Sequence, residues 1–151
     1  MEPFELSQIA VNETLADQQE VFNRIASIAV KQGIASSKEL VIEGLMQREK
    51  EGTTGFMDGF AIPHTKQTAI RKASVIVLKL SNGIEWESMD GEPVRFVISL
   101  LIPEEEASST HLTLLSNISR MLMHSDVRQS LLRAEKPEEV LATLERAQGE
   151  L

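Results

Sequence analysis

The chain contains no cysteine. That absence removes thiolate nucleophiles, disulfides and Cys-ligated metals from the chemistries open to it, and it fits a reducing compartment. Nor is there an apolar stretch long enough to cross a bilayer, and the N-terminal MEPFELSQIA lacks the basic and apolar segments of a signal peptide. The expectation is a cytoplasmic protein with no direct membrane insertion. Basic residues are outnumbered, 15 Lys and Arg against 23 Asp and Glu, for a net charge of −8. With no basic stripe to neutralise phosphates, a nucleic-acid partner is not expected, which leaves small molecules and other proteins. Repeats, low-complexity tracts and Pro/Gly/Ser-rich linkers are missing as well. A length of 151 residues, 42% of them apolar, then reads as a single domain over 1–151 with one proper core.

What is present divides by period. Asp17 and Glu20 have the spacing of a capping box, and Val21, Phe22, Ile25, Ile28 and Ala29 follow at helical intervals, with Gly33 as the stop. Ser36 and Glu39 repeat the signal for a second helix, whose buried stripe is Leu40, Val41 and Leu45 and whose end falls between Arg48 and Gly52. The runs 73–80 (ASVIVLKL) and 94–102 (VRFVISLLI) are β-branched and almost continuously apolar, the pattern of interior strands covered on two faces. Asn82-Gly83 and Asp90-Gly91 mark turns between them. Ser108 or Ser109 caps a helix carrying Leu114, Leu115, Ile118, Met121 and Leu122. Asp126 caps a short one, and Pro137 opens a last one with Val140, Leu141 and Leu144 inward. The implied class is α/β: a sandwich with a small mixed β-sheet flanked by helices on both faces.

Three side chains stand out for chemistry. His64 closes the strand-like run Phe60-Ala61-Ile62-Pro63, where proline limits backbone swing and holds the imidazole at a strand end as an exposed nucleophile. An unremarkable turn histidine is the competing reading. His111 begins the stripe of Leu114 and Leu115, in the first turn of its helix, where the dipole disfavours imidazolium and free N–H groups suit an anion. A core histidine bonded to a carbonyl is its plain alternative. Arg48 lies on the inner side of the second helix near the C-terminus, either as a favourable end charge or as a fork for phosphate. Asp58 is a weak candidate beside Gly59, and His124, at a helix end, is given no role. Two histidines and an arginine, with no phosphate-cradling glycine loop, suit a phosphoryl group carried on imidazole nitrogen. A two-histidine zinc site is the rival chemistry, for which no third ligand has recognisable spacing.

The segments REKEGTTGFMDG, GFAIPHTK, GIEWESMDGEPV, FVISLLIP and HLTLLSNISRML resemble the enzyme IIA domain of the fructose/mannitol class of the bacterial sugar phosphotransferase system. The resemblance implies the α/β fold already read and needs no cofactor. It implies that His64 accepts phosphate from the small carrier protein HPr and passes it to a cysteine of enzyme IIB, with His111 and Arg48 in support. Since this chain has no cysteine, enzyme IIB must act in trans. A regulatory, nitrogen-type enzyme IIA with the same histidine is the alternative. Met57, Phe60 and Thr65 depart from the family's usual residues, Thr65 standing where Gly or Ala usually follows the histidine. Phe56, Met57 and Phe60 are the apolar candidates for a docking surface.

Overall fold

The computed structural model describes residues 3–151. A 3₁₀ turn, Leu6–Gln8, leads into β1 (Ile9–Glu13); α1 (Gln18–Lys31) and α2 (Lys38–Glu51) follow. Next come β2 (Phe60–Ala61), β3 (His64–Gln67), β4 (Ser74–Ile84) and β5 (Val94–Pro103). A 3₁₀ turn, Glu104–Glu106, opens α3 (Ala107–Leu122), which is succeeded by α4 (Ser125–Arg133) and α5 (Pro137–Gly149). The sheet runs β1-β4-β5, and β5 then pairs with β2 along one part of its length and with β3 along another. Only β4 against β5 is antiparallel among these ladders; β1 on β4 and both short strands on β5 are parallel.

Alternation along β5 divides the core in two. Phe96, Ile98, Leu100 and Ile102 pack with Leu114, Ile118, Leu131 and Leu144 from α3, α4 and α5. Val97 and Leu101 face the other way, against Val21, Phe22 and Ile25 of α1 and Val41 and Leu45 of α2. β4 and β5 are therefore apolar on both faces because each face has its own helical layer, as their composition implies. Truncating one of these fully buried side chains to alanine costs about 2–5 kcal/mol.

The α1 expectation holds at its cap and its stop: Asp17 accepts from Glu20 N, and Gly33 adopts φ +73° just past the end. The capping box itself is not closed, because Glu20 Oε1 accepts from Ala16 N at 2.9 Å and not from Asp17 N. Other caps move. Ser37, not Ser36, is the N-cap of α2 and accepts from Leu40 N, while Leu40 itself is exposed and leaves the buried stripe to Val41 and Leu45. α3 begins at Ala107, ahead of Ser108 and Ser109, so neither is its N-cap; the side chain of Ser108 lies outside the described residues. His124, not Asp126, is the N-cap residue of α4, and Asp126 sits in its first turn. Pro137 occupies the first turn of α5 as expected.

Asn82-Gly83 is not a turn. β4 continues through it with a register shift between Lys79 and Ile84, because two tertiary contacts override the local preference. The Asn82 side chain bonds the Leu15 backbone, Nδ2 donating to Leu15 O at 2.8 Å, and a side chain at Gly83 would press on the ring of Pro93 at 3.0–3.2 Å.

Candidate functional site

Pro63 does not end a strand; it separates two. Lacking an N–H, it interrupts pairing after β2, yet its carbonyl still accepts from Leu100 N at 3.0 Å, so the chain stays against β5 and resumes as β3. His64 is thus the first residue of β3 and not the last of the preceding run. It is also buried, at 6% exposure, and not the exposed side chain expected: it forms part of the wall of a cavity of about 400 Å³ at the sheet edge. His64 and Lys66 share the β5 face of Leu100 and Ile102, toward α3, while Thr65 between them pairs with Leu101 and faces α2.

This cavity brings together the three residues singled out from the sequence. His64 and His111 have ring centroids 5.1 Å apart at an interplanar angle of 47°, and Arg48 lines the same space from the C-terminal end of α2. Arg48 Nη1 donates to Gly52 O at 2.7 Å, so one edge of the guanidinium is tied to its own helix end. That bond meets the end-charge reading of Arg48, and the side chain also borders the cavity. His111 is the fifth residue of α3, in its second turn and not in the first as expected, where the field of the helix end has weakened. Its Nε2 is inaccessible and finds no hydrogen-bond partner among the described residues, an unusual condition for a buried polar atom.

The electrostatics favour neutral rings. His64 Nδ1 lies 2.8 Å from Ile62 O. A carbonyl only accepts, so Nδ1 carries the proton and Nε2 keeps an unshared pair. Loss of solvation by burial is the main cause holding the His64 pKa below its usual 6.5, and Arg48 adds to it against the opposing Ile62 bond and the carboxylates of Glu49 and Glu51. His111 is lowered too, first by burial and then by His64, Lys66 and Arg48. A neutral imidazole with a free Nε2, beside two cations and an unpartnered imidazole, can attack a phosphoryl group and bear the charge of the result.

Several participants escaped sequence reasoning. Lys66 and the carboxylates Glu43 and Glu51 also line the cavity. Strand alternation from His64 puts Lys66 on the same face, a signal present in the sequence. Glu49 accepts hydrogen bonds from Thr53 Oγ1 (3.0 Å), Thr54 N (2.8 Å), Thr54 Oγ1 (2.6 Å) and the indole Nε1–H of Trp86 (3.0 Å), and so fixes the loop that follows α2. Asp58, at φ +56°, turns the chain and accepts from Arg128 Nε at 2.8 Å, away from the cavity. Of the apolar docking candidates, Phe60 is fully buried against Phe96 and Phe56 packs on the core, which leaves Met57 half-buried. Among the described residues no group of three His, Asp or Glu is placed to hold a metal ion, and no helix is long and apolar enough to cross a membrane.

Residues 2–147 match the family described as phosphoenolpyruvate-dependent sugar phosphotransferase system, EIIA 2. A fructose-specific EIIA component of Haloferax volcanii is 35% identical over 138 residues, covering 91% of this chain and 88% of that protein. The crystal structure of nitrogen regulatory protein IIA-Ntr from Neisseria meningitidis superposes with a TM-score of 0.87 at 29% identity, over 95% of this chain and 97% of that one. The fold is shared as well by enzyme IIAMTL in its complex with phosphorylated enzyme IIBMTL from Escherichia coli, with a TM-score of 0.79 at 20% identity over 95% and 97% of the two chains.

Proposed function

The chain belongs to the EIIA 2 family of the phosphoenolpyruvate-dependent sugar phosphotransferase system, and from that premise we propose that it is a sugar-uptake phosphoryl carrier whose phosphate rides on His64 Nε2. The observation that carries the reading is the Nδ1–H bond from His64 to Ile62 O. It selects the tautomer whose other nitrogen is nucleophilic, in a cavity shared with Arg48 and His111.

In the first step the unshared pair of Nε2 attacks the phosphorus of phosphorylated HPr, and the P–N bond to the donor's imidazole breaks with its electron pair leaving on the donor nitrogen. In the second, a cysteine thiolate of enzyme IIB attacks the same phosphorus, the S–P bond forms, and Nε2 recovers its pair. Arg48 donates to the phosphoryl oxygens while charge passes between donor and acceptor, and the His111 ring turns its otherwise buried Nε2 toward the cavity to join it. A positioned donor of this kind is worth about 3 kcal/mol, on the order of a hundredfold in rate. The fold's appearance in a complex with phosphorylated enzyme IIBMTL supports the acceptor, and the likeness to a fructose-specific component supports a fructose-type system.

Similarity to a nitrogen regulatory protein favours a second reading, in which the phosphorylation state of His64 governs binding to other proteins. A panel of enzyme IIB proteins separates the two. The uptake reading expects the phosphorylated chain to discharge to a fructose-type enzyme IIB within seconds. Phosphate retained against every enzyme IIB tested would remove the uptake reading and leave the regulatory one.

A further inference from the structure

Gly44 sits in the interior of α2, where glycine is a poor choice: alanine is the better helix former and glycine loosens the unfolded chain at no gain. Its backbone conformation gives no reason for it, since its φ is not positive. The reason lies across the layer boundary. A Cβ at position 44 would run into Thr65 Oγ1 and would stand 3.2 Å from Thr65 Cβ and 3.3 Å from Thr65 Cγ2. Thr65 has little room to yield, being 6% exposed in β3, with neighbours on either side that are held by the β5 ladder. Hence α2 reaches β3 at this point only because one residue has no side chain and the other fills the gap.

The placement of the pair gives this contact a meaning. Thr65 is the residue after His64, and Gly44 lies one helical turn before Arg48 on the same face. All four line the same cavity. The spacing between the His64 imidazole and the Arg48 guanidinium is therefore set by how closely α2 approaches β3, and that approach is set at Gly44 and Thr65. We propose that Gly44 and Thr65 form a steric interlock that positions Arg48 relative to His64 for phosphoryl transfer. Neither touches the reacting atoms; they are positioning residues. This proposal rests on the reading of His64 as the phosphoryl acceptor. It also accounts for the threonine after the histidine, a residue that is tolerated here because its partner on α2 is glycine.

The test is a pair of substitutions in the full chain, Gly44→Ala alone and with Thr65→Ala, read by thermal unfolding and by single-turnover transfer from phosphorylated HPr, with kcat the rate constant at saturating donor and KM the half-saturating donor concentration. Wild-type chain that takes up no phosphate would remove the functional reading itself, whatever the variants do. With wild type active, Gly44→Ala should lower kcat at least tenfold while KM for the donor stays within about twofold, because docking is untouched and only the geometry of transfer is displaced. Adding Thr65→Ala clears the space and should bring kcat back to within about threefold of wild type. A folded Gly44→Ala variant with wild-type kcat overturns the interlock. So does a double variant that fails to recover transfer, whether it is folded or not. Should the single variant fail to fold, the double variant decides: recovery of both fold and transfer supports the interlock.

Discussion

Replacing Glu49 by alanine should destabilise the protein by about 2–4 kcal/mol, and replacing it by glutamine by no more than about half of that. In the wild type one carboxylate gathers Thr53, Thr54 and Trp86, elements separated by more than thirty residues of sequence. Its loss to alanine leaves Trp86 Nε1 and Thr54 N without acceptors, in residues only 6% and 8% exposed, at about 1–3 kcal/mol each. The threonine hydroxyls can turn to other partners and cost little. Against this, removing a negative charge from the last turn of α2 returns about 0.3–1 kcal/mol through the helix dipole. Glutamine keeps an acceptor at the Oε2 position, which takes the bonds from Trp86 Nε1, Thr54 N and Thr53 Oγ1; it forfeits only the charge assistance. Urea unfolding followed by the fluorescence of Trp86, the one tryptophan of the chain, reads both quantities, since the indole is itself a ligand of the carboxylate. The reasoning fails if Glu49→Ala lies within about 0.5 kcal/mol of wild type, or if glutamine costs as much as alanine.

Arg48→Ala and His111→Ala should each slow acceptance from phosphorylated HPr on the order of a hundredfold without changing the residue labelled, as rapid-quench kinetics on folded variants would record. Because burial holds His64 and His111 below 6.5, the unfolded chain binds more protons than the folded one in the window beneath that value. Their contribution to stability is complete above pH 6.5 and is lost as pH falls through their depressed folded values. Urea midpoints at pH 7.5 and 5.5 should therefore differ less in His64→Gln than in wild type. Asp58→Asn keeps a residue that tolerates the positive φ but removes the charge facing Arg128, and should cost roughly 1 kcal/mol, since the Asp58 side chain is 41% exposed and screened. Chemical denaturation would measure it, and an unchanged phosphoryl transfer rate would confirm that Asp58 stands outside the cavity.

The two-faced strands were legible because β4 and β5 are buried on both sides, which forces an unbroken apolar run that no local signal contradicts. α1 was legible because its cap and stop are local hydrogen-bonding and φ requirements. His64, Arg48 and His111 were recoverable from the combination of residue types, while their convergence on one cavity needed the fold. What the sequence hid depends on distant partners. Asn82-Gly83 reads as a turn until Leu15 and Pro93 are in place. The short β2 and β3 exist only because β5 is long enough to pair with both. Phe60 looked free for docking because a strand of two residues gives too little alternation to tell its faces apart. Gly44 carried no local mark at all, because what it must avoid is a side chain on another element.

The central claim is that one nitrogen of one side chain, His64 Nε2, takes the phosphate. Its most direct test is long-range ¹H–¹⁵N NMR of protein labelled at histidine, before and after incubation with phosphoenolpyruvate, enzyme I and HPr. Before phosphorylation the His64 ring should show the Nδ1–H tautomer, with Nε2 in the range of an unprotonated nitrogen. Afterwards Nε2 of His64 should carry the phosphorus coupling, with Nδ1 still protonated against Ile62 O, and the rings of His111 and His124 should bear no phosphate. Phosphorus found on Nδ1 of His64, or on either of the other two histidines, would contradict the account.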